Sequence, residues 1–198
     1  MSRAGKPEAP AAAGEIRDGF KFRGGSLALD FPATLAARLR AEPRELLATP
    51  HDLGRWLVAA GLATSAPPVT GEELEQAREL REALYRLARA RVAGQPFPEP
   101  DRALLNRWAA GRTPAPCLES DGMSWTREDA STLLSLLARD AVELLGGELG
   151  GRIRQCAGEG CALLFVDTSR TGGRKWCSMS GCGNKAKVAS FRERRRSG

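Results

Sequence analysis

Histidine is almost absent from this chain of 198 residues: His51 is the only one, and aromatic side chains make up just 6%. A single imidazole with no nucleophile motif beside it offers no His-based nucleophile system. A glycine-rich phosphate loop is missing, as is an open metal site, so the sequence gives an enzyme little to work with. No run of about eighteen apolar residues occurs, which excludes a helix able to span a bilayer. The opening MSRAGKPEAPAAAGEIRDG carries Arg3 and Lys6, but its Pro, Glu and Asp interrupt any apolar core of a signal peptide. The expectation is a disordered tail over residues 1–18 of a cytoplasmic protein.

Cysteine is scarce too, with five residues, yet four of them lie close together near the C-terminal end. They read CAGEGC, fifteen further residues, then CSMSGC, so Cys156, Cys161, Cys177 and Cys182 form a C-x4-C-x15-C-x4-C pattern. Both the pair spacing and the gap let four sulfurs converge on one tetrahedral zinc ion. Four thiolates close zinc's coordination sphere and leave no position for water or substrate, so one structural zinc per chain is expected. Two disulfides are the alternative use of four such thiols, and they need an oxidising compartment that nothing else in the sequence suggests. Cys117 stands apart and is expected to be a free thiol.

Between the cysteine pairs, LLFVDTSRTGGRKW suggests strand, turn and strand, with Thr171-Gly172-Gly173 as the reversal. After Cys182, KAKVASFRERRR contains no Gly or Pro and can be helical. Knuckle, hairpin and helix together make a treble-clef-like module. On a helical wheel Val188 and Phe191 share one face, expected to pack on the hairpin and Trp176, while Ala186, Ala189 and Ser190 form a small outward ridge.

Charge is distributed unevenly. Residues 1–151 hold 19 basic and 21 acidic side chains, whereas residues 152–198 hold 11 basic and 3 acidic ones. That asymmetry marks the cysteine-bearing end as the part facing a polyanion, with duplex DNA the expected partner. Arg174 and Lys175 on the expected hairpin are candidate contacts. On the helix the candidates are Lys185, Lys187, Arg192, Arg194, Arg195 and Arg196.

The run WCSMSGCGNKAKVASFRERRR resembles the end of the CGNR zinc-finger family, with Trp176 before the third cysteine and Cys182-Gly183-Asn184-Lys185 at the tetrad. Lys185 replaces the family's Arg, which keeps the charge but not the planar fork. Upstream, FKFRGGSLALDFPATL resembles the opening of the ABATE domain that commonly precedes this finger. That family continues from LALDF with Val-Asn-Thr, whereas this chain has Pro32, Ala33 and Thr34 after Phe31. The resemblance implies a bacterial DNA-binding transcription regulator.

Residues 19–150 are organised as helices. FKFRGGSLAL suggests a strand, a Gly24-Gly25 turn, and then either a second strand or a helix capped by Ser26. Asp30 is expected to be a cap or a surface ion pair. Thr49-Pro50-His51-Asp52 is a helix start, and Leu53, Trp56, Leu57 and Ala60 make its apolar face. Thr70 with Glu73 opens a long helix running to about Ala93, with Leu74, Ala77, Leu80, Leu84, Leu87 and Ala88 as its buried stripe. A shorter helix is expected from Asp101, then a hairpin around Asp121-Gly122, then a last large helix opened by Thr126 and Asp129. Glycines 146, 147, 150 and 151 suggest a flexible joint before the finger. The fold class is mainly α with small β-hairpins (α+β): a helical domain over 19–150, then a treble-clef-like zinc finger over 151–198.

Three functional classes fit. The first is a DNA-binding regulator whose N-terminal domain senses a ligand or forms a homodimer. The second is an RNA- or ribosome-associated protein, since a basic zinc module reads phosphate shape equally well. The third is an enzyme or ligand-binding protein with its pocket in the N-terminal domain, lined by Trp56, Phe31 or Trp108.

Overall fold

The computed structural model describes residues 15–120, 122–126 and 128–196. Residues 1–14 of the expected tail lie outside them, while Glu15–Arg17 already form the first strand, β1. It pairs antiparallel with β2 (Phe20–Phe22) across a turn in which Asp18 and Gly19 both take positive φ. Strand alternation sends Phe20 and Phe22 inward. The stretch after Gly24-Gly25 resolves as helix: α1 (Leu27–Asp30) is a single turn whose N-cap, Ser26, accepts from the Ala28 amide. A 3-10 turn (Phe31–Thr34) follows, then the two-residue strands β3 (Leu35–Ala36) and β4 (Arg44–Glu45), which pair with each other and frame an excursion over residues 37–43.

Helix α2 (Pro50–Ala59) and helix α3 (Gly71–Val92) open as the sequence indicates. In each, the capping threonine accepts from the amide three residues on, and that residue's carboxylate accepts from the threonine's own amide. Two orphan donors are satisfied at each start, which fixes where the helix begins. The stripe of α3 is buried as expected. It also buries Arg81, whose guanidinium pairs with Glu45 at 2.6 Å and Glu82 at 2.9 Å. A buried guanidinium is tolerated only with such partners, and Glu45 lies on β4, so the helix sequence alone does not reveal it.

Helix α4 (Glu99–Ala109) begins two residues before Asp101, because Pro100 suits the first turn. Asp101 is buried and held by two guanidinium nitrogens of Arg86, whose side chain stays half exposed. The hairpin β5 (Ala115–Leu118) and β6 (Met123–Thr126) forms as expected. Its turn residue Asp121 lies outside the described residues. Thr126 sits opposite Ala115 and donates its hydroxyl to that carbonyl, so it cannot cap the next helix. Asp129 alone caps α5 (Ala130–Gly146), accepting from the Thr132 amide at 2.8 Å.

The core lies between α2, α3 and α5, closed by α1 and β2. Trp56 is fully buried between Phe22 and Phe31, with ring centroids 6.1 and 4.6 Å away. Trp56 and Phe31 therefore fill the core. Trp108 packs against the same cluster.

The glycines after α5 form no flexible joint. They build a 3-10 turn (Glu148–Arg152) in which Gly150 is buried. A Cβ on Gly150 would lie 2.8 Å from the Leu145 carbonyl oxygen and 3.0 Å from Arg91 Nε, so the glycine permits close packing here. The chain then enters β7 (Ile153–Gln155), paired antiparallel with β8 (Leu164–Val166). Ile153, Leu164 and Val166 belong to the main core, and the Val166 amide donates to the Gly24 carbonyl at 2.8 Å. Phe165, pointing the other way by strand alternation, packs among Cys156, Cys177 and Trp176. One strand thus serves two apolar clusters, which fixes the finger to the helical core. A π-turn (Met179–Gly183) leads into α6 (Asn184–Arg196).

Candidate metal centre and basic helix

Cys156 directly follows β7, and the knuckle to Cys161 turns on Gly158 and on Gly160, which has positive φ. Cys177 and Cys182 flank the second knuckle, where Ser178 accepts from the Gly181 amide at 3.1 Å. The four sulfurs lie within 4.8 Å of one another, and Cys177 Sγ and Cys182 Sγ are 3.8 Å apart. Sulfurs at about 2.3 Å from a central zinc would stand ~3.8 Å from each other in a tetrahedron. Amides of Gly158 and Cys177 donate to Cys156 Sγ at 3.4 and 3.3 Å, as a thiolate requires. All five cysteines are free thiols, and Cys117, on β5, is outside the cluster.

Proton affinities in the cluster are split. A hydrogen bond from Cys177 pulls the Cys161 thiol down to about 5. The same bond, with burial and the neighbouring negative charge, pushes Cys177 up, and burial pushes Cys182 up to about 11. The Cys161 proton leaves readily while those of Cys177 and Cys182 are held, so full ionisation needs a cation at the centre. Four thiols closing on one point, with amides aimed at sulfur, can coordinate a structural metal ion and leave no position open.

The segment after β8 differs from the expected hairpin. Asp167 accepts from the Ser169 and Arg174 amides and folds residues 167–174 into a closed loop, so no return strand forms. Arg174, a candidate nucleic-acid contact, stacks on Phe165 at 4.4 Å and donates to the carbonyls of Trp176 and Cys177. Its guanidinium is spent inside the finger. Lys175 is exposed.

Helix α6 presents the opposite face from the one expected. Val188 and Phe191 are 41% and 55% exposed, with Lys187, Arg192, Arg194 and Arg195 around them. Arg195 lies over the Phe191 ring at 5.8 Å. Lys185 and the small ridge of Ala186, Ala189 and Ser190 instead face a cleft toward the helical core. The reason is the missing return strand: no hairpin lies under Val188 and Phe191, and Trp176 packs against the cysteine cluster. The side chain of Arg196 lies outside the described residues.

Asp30 is neither exposed nor ion-paired at the surface. It is buried and accepts from the Gly24 amide at 2.7 Å, tying the Gly24-Gly25 turn to α1. Burial raises its carboxyl to about 7.

Fold and site together define a class of protein, a mainly helical domain carrying a four-cysteine finger. The family model described as "Putative stress-induced transcription regulator", ABATE, matches residues 25–148, and the model of the CGNR zinc finger matches residues 152–195. The chain belongs to the ABATE family and ends in a CGNR zinc finger. No curated protein matches it. Among the described residues no helix is long and apolar enough to cross a membrane.

Proposed function

We propose that this chain is a non-catalytic, DNA-binding transcription regulator with one structural zinc ion held by Cys156, Cys161, Cys177 and Cys182. The observation that carries the proposal is the exposed face of α6, where two apolar side chains stand among four cations. Apolar groups left in water on a basic helix suit a groove, where they meet base edges and thymine methyls while cations meet phosphates. Lys187, Arg192, Arg194 and Arg195 supply the phosphate contacts, with Lys175 extending the positive surface. The charge excess of residues 152–198 supports this reading, as does the family's description as a regulator.

A single short helix contacts few base pairs, whereas specific control needs roughly 11–15 kcal/mol in total, which two linked half-sites reach more readily than one. The regulator therefore acts as a homodimer on DNA. Sedimentation at tens of micromolar, free and with DNA, tests this. A monomer in both states overturns it.

DNA binding is tested by fluorescence anisotropy across a salt series. With four to five cations on phosphates, the log–log slope should be roughly −3.5 to −4.5, and replacing Lys187, Arg194 and Arg195 by Gln should flatten it. An unchanged slope places the contacts elsewhere. A tenfold preference for structured RNA at equal salt overturns the choice of DNA.

A further inference from the structure

A cleft of about 560 Å³ separates the finger from the helical core, a volume in the range of small-molecule sites. One wall is the loop after the Phe31–Thr34 turn together with Tyr85 of α3. The other is the first cysteine knuckle and the inner side of α6. Its cations fall into two kinds. Arg38 is spent: it donates to both Glu82 oxygens and to the Pro32 carbonyl, and it stacks on Tyr85 at 4.2 Å. Lys21, Arg23, Arg40 and Lys185 line the same cleft, and among the described residues no side-chain hydrogen bond or ion pair is formed by any of them.

Among the described residues, two buried polar atoms at this cleft lack partners, Arg23 Nε and the hydroxyl of Tyr85, the chain's only tyrosine. Leaving such groups unpaired is costly, and the cost is recovered when a ligand supplies the acceptor. Room is kept for the two arginines. A Cβ on Gly181 would stand 3.2 Å from Arg23 Nη1, and one on Gly160 would stand 3.2 Å from Arg40 Nε. The loop carrying Arg38 and Arg40 also holds Ala37 at φ 54°, a conformation that L residues rarely adopt without cause.

We propose that this cleft binds a small organic anion, a single carboxylate or phosphate head on an apolar body. Arg23, Arg40 and the Tyr85 hydroxyl hold the head. Leu35, Leu163 and Ala189 offer apolar surface to the body. Glu159 and Glu193 at the same cleft offset two of the four positive charges. One oxyanion is therefore accommodated and a polyphosphate is not. Because the ligand would touch both the core and α6, its binding would set the position of the basic helix. That consequence rests on the DNA-binding reading, whereas ligand binding itself does not.

The test uses the full zinc-loaded chain without DNA. Octanoate, octyl phosphate, octanol and inorganic phosphate are titrated by calorimetry and by thermal unfolding. At least one of the two alkyl anions should bind and raise Tm, while octanol and inorganic phosphate should be much weaker. The better alkyl head identifies the ligand's acid. Arg40→Gln and Arg23→Gln should each weaken that binding by roughly tenfold or more, the loss of one charge-assisted hydrogen bond. Lys187→Gln, on the other face of α6, should leave it unchanged. Arg40 is exposed and its side chain has no hydrogen bond or ion pair among the described residues, so its variant should fold normally even if the Arg23 variant does not. Failure of both alkyl anions to bind, equal binding of octanol, equal binding of inorganic phosphate, or an undiminished affinity in Arg40→Gln would each overturn the site. So would a loss of duplex DNA binding in Arg40→Gln without any alkyl-anion binding, since the cleft would then belong to the DNA track.

Discussion

Ile153 on β7 stands directly opposite Val166 on β8, and both side chains are buried in the cluster that α3 and α5 share. The finger therefore has no separate fold to lose. Removing the metal should lower the unfolding temperature of the whole chain in a single transition, because a structural zinc contributes on the order of 10 kcal/mol. Calorimetry with and without chelator checks this, and a second, independent finger transition would contradict it. Ile153→Ala should cost about 2–5 kcal/mol of global stability.

Metal content should follow the cluster and ignore the fifth thiol. Elemental analysis should find one zinc per chain in wild type and in Cys117→Ser, and less in Cys177→Ser. Gly158→Ala should also lose metal, because its Cβ would lie 2.8 Å from Cys182 Sγ and 2.9 Å from Cys182 Cβ. Gly151→Ala is the control. Nothing lies within 4 Å of its added Cβ, and its φ is not positive, so it should bind metal normally.

Replacing Val188 and Phe191 by Ser should leave Tm within about 0.5 kcal/mol of wild type in equivalent stability, since both are exposed. The same pair should weaken duplex binding with little change in the salt slope, because the cations remain. A large loss of stability would mean that the face is covered in solution. An unaltered affinity would remove it from the DNA interface.

The Asp30 carboxyl gives a pH signature. Its folded value of about 7 lies above the ordinary 3.8, so between those limits the folded chain holds a proton that the unfolded chain releases. Stability from this group is complete below the unfolded value and is lost as pH rises through the folded one. Asp30→Asn keeps an oxygen for the Gly24 amide without the charge. Its stability should gain on wild type as pH climbs from about 4 to 7 and then level off. A difference that does not change with pH would show that Asp30 titrates normally.

Local chemistry was readable from the sequence wherever it is self-contained. Thr49 and Thr70 carry their capping partners three residues away, and the cysteine spacing is a property of the chain itself. The stripe of α3 is periodic over 22 residues. What the sequence did not disclose depends on partners distant in the chain. Arg81 is buried because Glu45 reaches it, and Asp30 because the Gly24 turn folds over it. The inner face of α6 was assigned from two apolar residues, but a 13-residue helix with so few of them does not indicate what lies beneath it. That was decided by Asp167, which closes its loop and removes the strand they would have packed on. The glycines after α5 looked like a hinge because close packing and freedom call for the same residue.

Strand β8, serving one cluster with Leu164 and Val166 and another with Phe165, also bears on how long the protein survives in a cell. If metal loss destabilises the chain as one unit, the metal-free chain would open as a whole and become a substrate for proteases. For a ligand that binds only the folded state, each tenfold fall in available zinc removes about 1.4 kcal/mol and raises the cleavable fraction about tenfold. The abundance of such a regulator would track metal supply without any change in its synthesis, and starvation for zinc would lift its control of transcription by clearing it.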